Sequence, residues 1–353
     1  MLNRVQLKAH WKDSVKKMKN KHVNIPVFVP HKGCPNDCSF CNQRKITGQI
    51  TPVTKETVRS VIDDHLKTID HEKTEIKVAF FGGSFTGIPK EEQKELLELA
   101  NKYLKNGLID GIRLSTRPDY INDDILSFLK SYGVTAIELG AQSMIDKVLK
   151  LNDRGHLSSD TEKAALKIKS YGFELGLQMM TGLYGDDKDG AIYSAKKIIA
   201  LNPECVRIYP TLTIFGTKLH KLYEEGKYIP MSLDETVELC GELLDMFEEA
   251  QIKVLRVGLL GTDNINDEND VIAGPFHQSI GELAESEKFY NKLVRDIEKI
   301  DLKDLKVSVN PRYISIAVGN KKKNVKRLLE KFPQKNIKFI QNEKTNYGEF
   351  VIE

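Results

Sequence analysis

The chain has 353 residues, with 53 Lys and Arg against 50 Asp and Glu and a formal net charge of +3. That length buries a sizeable core and fits one large catalytic domain with appendages; the near balance of charge leaves only local clusters to speak for partners. No apolar run approaches the ~20 residues that span a bilayer, and the Lys-rich start lacks the apolar core of a secretory signal. The expectation is therefore a cytoplasmic protein with no membrane partner.

In chain order, residues 1–22 form a basic arm in which Lys8, Lys12, Lys16, Lys17 and Lys19 accompany His10, Trp11 and His22. It reads either as a solvated helix face or as a surface for phosphate. Beyond it, β-rich runs over 23–29, 75–81, 111–116, 135–140, 173–180, 204–209 and 252–257 predict strands. Helical spacing of apolar residues over 54–67, 90–105, 123–131, 158–170, 188–200 and 234–249 predicts the helices between them. This alternation builds parallel βαβ units, as an open doubly wound sheet or a full or partial barrel. In either, ligands gather beyond the carboxyl ends of the strands.

The stretch from Arg256 to Glu287 is broken by Gly258, Gly261, Asn264, Asn266, Asn269 and Gly274 and reads as an ordered covering loop. The last fifty residues change rhythm: strands over 305–309, 337–341 and 349–352 and a helix over 321–331 predict a small α+β appendage. Within it, Val318 to Leu328, with Gly319 at a helix start and a basic helix after it, resembles the GxxG clamp of KH domains, with the second Gly absent.

Five cysteines, three of them within eight residues, do not look like a disulfide framework. Cys34, Cys38 and Cys41 follow the first predicted strand as CxxxCxxC, while Cys205 and Cys240 sit among apolar residues and read as core thiols. Thiolates hold iron–sulfur clusters, which ordinarily take four. Three leave one iron open to a substrate or cofactor. Zinc with one distant fourth ligand is the alternative metal, in a non-enzymatic scaffold.

With Phe40 at the aromatic position, the loop resembles the CxxxCxΦC hallmark of the radical S-adenosylmethionine (SAM) superfamily. The resemblance implies a [4Fe-4S] cluster on Cys34, Cys38 and Cys41, with SAM on the open iron. One electron then cleaves SAM to methionine and a 5′-deoxyadenosyl radical that abstracts hydrogen from substrate. It also implies a partial (β/α)6 TIM-like barrel over 23–260, an extension over 261–300 that covers it, the appendage over 301–353, and a flavodoxin- or ferredoxin-type electron donor.

Further elements occur in the same order. Gly82-Gly83-Ser84 resembles the GGE-type motif whose backbone receives the methionine amino group, with Ser84 in place of Glu. Ser115, at the end of the third strand, joins the implied cofactor contacts. Gly140-Ala141-Gln142-Ser143 and Asn152-Asp153-Arg154-Gly155-His156 resemble the GxQS and NRGH elements of oxygen-independent coproporphyrinogen oxidase and Elongator-type enzymes. By that resemblance Gln142 meets the SAM ribose and Arg154 its carboxylate, which a guanidinium can bind bidentately. Gln178 takes the acidic position of a DLxxGLPG-like segment.

Tyr209-Pro210-Thr211, Gly216-Thr217 and Tyr228 are similar to the Elongator catalytic subunit, and Gly274-Pro275-Phe276-His277 to the carboxyl-terminal extension of its relatives. The chain is expected to lack that subunit's acetyltransferase domain. His277 and Tyr209 are the candidate catalytic residues. RNA, tRNA above all, is the expected substrate, with a small metabolite or a protein side chain as the alternative.

Overall fold

A computed structural model describes residues 21–29, 38–42, 53–259 and 270–353. Cys34, almost all of the basic arm and residues 260–269 lie outside the described residues. Strands β1 (Lys21–Val29), β2 (Thr74–Gly82), β3 (Gly111–Thr116), β4 (Val134–Gln142), β5 (Glu174–Thr181), β6 (Cys205–Pro210) and β8 (Lys253–Val257) follow one another in a seven-stranded sheet. The neighbours β1 and β2, β2 and β3, β5 and β6, and β6 and β8 pair in parallel. Helices α1 (Lys55–Leu66), α2 (Lys90–Lys105), α3 (Asp123–Ser131), α4 (Asp146–Leu151), α5 (Ser158–Ser170), α6 (Lys188–Ala200), α7 (Lys218–Glu224) and α8 (Leu233–Glu249) lie between the strands. The short strand β7 (Thr213–Ile214) pairs antiparallel with β9 (Val271–Ala273).

The elements form where local chemistry asks for them. Thr54 and Ser232 close capping boxes on α1 and α8, and the side chains of Asn122 and Asp187 accept backbone N–H bonds at the starts of α3 and α6. Strand β2 runs almost continuously apolar, with Ile76, Val78, Ala79 and Phe80 fully buried, as expected of a parallel strand covered on both faces.

The chain divides into two compact units, one of residues 1–35, 49–138 and 167–174, the other of 36–48, 139–166 and 175–353. The first carries a buried charge network between strands. Arg113 on β3 donates to Glu138 on β4 at 3.0 Å and to Glu174 at the start of β5 at 3.1 Å, and Lys77 on β2 reaches Glu174 at 2.6 Å. The Lys77, Arg113 and Glu138 side chains are at least 95 % buried. Removal of one partner of such a network would leave an uncompensated charge in the interior.

In the second unit the largest departure from expectation lies in the segment read as a loop. Its last eight residues, 280–287, open α9 (Ile280–Ile297), an 18-residue helix. Its periodicity is masked because Ser286, Glu287 and Lys288 are themselves buried, which breaks the rule that charge marks the solvent face. Lys288 reaches Glu248 on α8 at 2.6 Å, and Glu287 takes both guanidinium arms of Arg327.

The face formed by Phe289, Tyr290, Leu293, Val294 and Ile297 shares one core with the carboxyl-terminal residues Leu305, Val307, Val309, Tyr313, Leu328 and Phe332. Those residues lie in β10 (Asp304–Val309) and in or next to α10 (Ile314–Val318) and α11 (Lys323–Lys331); with β11 (Asn336–Gln341) and β12 (Phe350–Ile352), β10 forms a three-stranded sheet in the order β11-β10-β12. No helix among the described residues is long and apolar enough to cross a membrane.

Candidate functional site

Of the cysteine loop, residues 38–42 are described, and each end of this piece is tied to the second unit. Ser39 donates its hydroxyl to Asn152 Oδ1 at 2.7 Å and its backbone N–H to Asn152 O at 3.1 Å; its carbonyl accepts from Leu219 N at 2.7 Å. Asn42 Nδ2 donates to Phe215 O at 3.3 Å. Cys41 N donates to Cys38 O at 2.9 Å, closing a turn between the two cysteines.

Asn152 is 1 % exposed, and its amide also donates to Val148 O and Tyr184 O. Sequence reading passed over this residue as a mere member of the NDRGH element, though an Asn following an apolar helix turn was a signal of a buried polar tie. Asn152→Ala is expected to cost about 2–3 kcal/mol, because it leaves buried partners unmade, and to lower the iron retained after anaerobic reconstitution. Urea unfolding and iron per chain check this; unchanged iron content would remove Asn152 as the loop's anchor.

The next residue of consequence is Arg154, 7 % exposed. Its Nη2 donates to Gly140 O at 2.7 Å and its Nη1 to Cys38 Sγ at 3.5 Å. Gly140 permits this: a Cβ there would stand 2.8 Å from Arg154 Nη2 and 3.1 Å from Gln142 Nε2. Gln142 ends β4 with φ of 65°, a left-handed conformation that non-glycine residues seldom adopt, and its Oε1 is buried with no hydrogen-bond partner among the described residues. Gln142 thus combines an unusual backbone with an unmet buried acceptor, features that recur at ligand sites.

In the first unit, Gly82 turns the chain after β2 with φ of 103°, and Gly83 N donates to Val29 O at 3.3 Å. Ser84 is buried; its hydroxyl meets Thr116 Oγ1 at 2.9 Å, and Thr86 meets the same atom at 2.5 Å. Ser84 thus ties the glycine turn to the end of β3, beside the buried Ser115.

Gln178 and Tyr209 lie on the neighbouring strands β5 and β6, and His277 precedes α9, its Nδ1 accepting from Ser279 N at 3.0 Å. Cys205 and Cys240 are buried, and burial pushes the Cys240 thiol up to about 12. Asp186, in the loop after β5, is pushed up to about 6 by burial, with the Asp187 amide offsetting part of the shift. A raised carboxyl pKa means that ionisation opposes folding. The cost is absent below the unfolded value near pH 4, grows to pH 6 and is full above it. Asp186→Asn is accordingly expected to stabilise the chain by on the order of 2 kcal/mol at pH 7.5, and the gain should vanish towards pH 4. Paired urea titrations check it; a gain independent of pH would contradict it.

The residues present fit an iron–sulfur cluster with SAM. Cys38, a ligand type that such clusters take, lies against the buried Arg154 guanidinium, and the unmet Gln142 acceptor suits a polar cofactor. The chain matches the Radical SAM superfamily model over residues 28–198 and the Radical_SAM C-terminal domain model over 203–290. It belongs to the radical SAM superfamily and is an enzyme of that class, whose cofactors are a [4Fe-4S] cluster and SAM and which draws its electron from a reductant.

An uncharacterized protein of Methanocaldococcus jannaschii is 28 % identical over 65 % of this chain and 73 % of its own length. The tRNA uridine(34) acetyltransferase of the same organism is 28 % identical over 61 % of this chain and 47 % of its own, and human Elongator complex protein 3 is 26 % identical over 63 % and 45 %. The chain thus spans less than half of those two relatives. The solved structure of Elp3 from Methanocaldococcus infernus, lacking its N-terminus, superposes with a TM-score of 0.60 at 22 % identity, over 78 % of this chain and 63 % of that one. It bears out the α/β partial-barrel fold.

Proposed function

We propose that this enzyme modifies RNA, with tRNA as the favoured substrate, by abstracting hydrogen at a base or base substituent. The observation that carries the reading is the similarity of most of this chain to tRNA uridine(34) acetyltransferase and Elongator complex protein 3.

In this reading Cys34, Cys38 and Cys41 hold the cluster, with Phe40 packed beside it. Gly82, Gly83, Ser84, Ser115, Gln142, Arg154 and Gln178 hold SAM. When bound, the cluster and SAM together supply a 5′-deoxyadenosyl radical that takes a hydrogen atom from the substrate. The protein's share is placement. Arg154, oriented by Gly140 O, presents a guanidinium edge to the SAM carboxylate. The Gln142 acceptor receives a ribose hydroxyl, which removes an unmet buried group and so favours the bound state. The backbone at Gly82 and Gly83 approaches the amino group with no side chain in the way.

Residues 23–260 act as the radical barrel, 261–300 as its cover and 301–353 as an appendage, and His277 and Tyr209 lie towards the substrate. A flavodoxin- or ferredoxin-type protein delivers the electron. The acyl chemistry of the acetyltransferase relatives is not part of the proposal. The test is binding of tRNA to the reconstituted protein over a salt series. Phosphate contacts require affinity to fall steeply with salt. Affinity that is absent or flat in salt would favour a small metabolite or a protein side chain instead.

A further inference from the structure

The carboxyl-terminal appendage lies outside both matched models, which end at residue 290. Residues 301–353 hold 12 Lys and Arg against 6 Asp and Glu, whereas the remaining 300 residues hold 41 against 44. The chain's net positive charge is therefore concentrated in this module. The count includes cations used for docking: Lys323 reaches Asp234 at 2.8 Å, Arg327 grips Glu287 and stacks over Tyr290, and Lys331 reaches Glu298 at 3.0 Å. Lys321, Lys322 and Lys326 are exposed and have no ion pair among the described residues.

The module's path is strand, helix, helix, strand. Strands β10 and β11 pair in parallel, α10 and α11 make the crossover between them, and β12 pairs antiparallel on the other side of β10. The link between the two helices is Gly319-Asn320-Lys321-Lys322. A βααβ core with a Gly-x-x-Gly link between its helices is how KH modules clamp the backbone of single-stranded nucleic acid.

Here the place of the second Gly belongs to Lys322, whose φ of 60° and ψ of 32° are those a glycine would adopt. Lys321 is left-handed as well, with φ of 50° and ψ of 33°. Two successive lysines in this region cost conformational energy that Gly or Asn would largely avoid. The loop keeps the backbone of the clamp and adds two cations to it. It is also held from beneath: Asn324, 2 % exposed, donates to Ala317 O, Ser286 O and Ser286 Oγ, and a Cβ at Gly319 would stand 3.0 to 3.2 Å from Asn324.

We propose that residues 301–353 are a KH-like RNA-binding module in which the Gly319–Lys322 loop, with Lys326 one turn on, grips the phosphate backbone of a single-stranded segment of the substrate. The inference rests on the reading of RNA as substrate. It adds where and how that RNA is held: by backbone rather than by base, outside the radical chemistry.

The test compares the full-length reconstituted protein with K321N/K322N and K321R/K322R, using a labelled single-stranded RNA oligonucleotide and fluorescence anisotropy over a salt series. Asn tolerates the left-handed backbone, so K321N/K322N should fold with an unchanged or higher melting temperature. It should bind RNA about tenfold more weakly, and its salt slope should fall by about 1.4, two phosphate contacts at about 0.7 each. K321R/K322R should bind like the wild type. SAM cleavage without RNA should be equal in all three.

Wild-type binding that K321N/K322N retains undiminished would overturn the clamp and leave RNA as the substrate. Loss in both variants would overturn the role of the two charges. Absence of RNA binding by the wild type would overturn the clamp together with the reading it rests on.

Discussion

Cys38→Ala is expected to abolish 5′-deoxyadenosine formation and the visible absorbance of the reconstituted cluster, with little loss of fold. The thiol is 5 % exposed and small, so truncation removes few packing contacts. On the proposed assignment it removes one of three ligands, and a cluster left with two thiolates should be lost. Anaerobic reconstitution, iron and sulfide analysis and chromatographic detection of 5′-deoxyadenosine make the measurement. Cys240→Ala is the paired control. That thiol is fully buried, so its loss should lower stability and leave iron content at the wild-type level. A Cys38→Ala protein that still cleaves SAM would refute the assignment of the loop.

Arg154→Ala is expected to retain the cluster and lose SAM. The guanidinium now bonds Gly140 O and points its other arm at Cys38 Sγ. Charge-assisted hydrogen bonds contribute about 1.5–3 kcal/mol, so kcat/KM for SAM cleavage should fall about 10- to 100-fold. Arg154→Lys should recover part of the loss, since it restores the charge without the planar fork. The split matters: iron content unchanged, SAM affinity reduced. Unchanged affinity for SAM in Arg154→Ala would return Arg154 to a structural role beneath the cysteine loop.

The parts of this fold visible in the sequence are those in which one physical signal dominates. Strand β2 is largely buried and reads as a mostly apolar run; α2, α3, α5 and α6 carry plain amphipathic stripes, and their expected limits match the observed ones. Helix α9 escaped because Glu287 and Lys288 are buried in ion pairs with Arg327 and Glu248. A pattern that counts charge as exposure cannot see such a helix.

The candidate site divides in the same way. Cys38 stands out by cysteine spacing, Gly140 and Arg154 by their resemblance to the GxQS and NRGH elements, and the structure brings those three together. The left-handed backbone of Gln142 and of Lys321 and Lys322 was not legible, because neither residue type signals a positive φ. The expected helix over 321–331 accordingly begins as a turn and becomes α-helical only at Lys323. Asn152 is the clearest case of tertiary information: its worth lies in Ser39, 113 positions away in the chain.

Cys38, Arg154 and Gly140 come together on what we propose is the cofactor side of the enzyme. The substrate side is tested most directly by one measurement: 5′-deoxyadenosine formed by the reconstituted, dithionite-reduced protein with SAM, with and without tRNA. The account predicts a slow background without RNA and a several-fold higher rate with tRNA, accompanied by a new modified nucleoside in the digested RNA. Equal rates with and without tRNA, and an unaltered nucleoside profile, would contradict it.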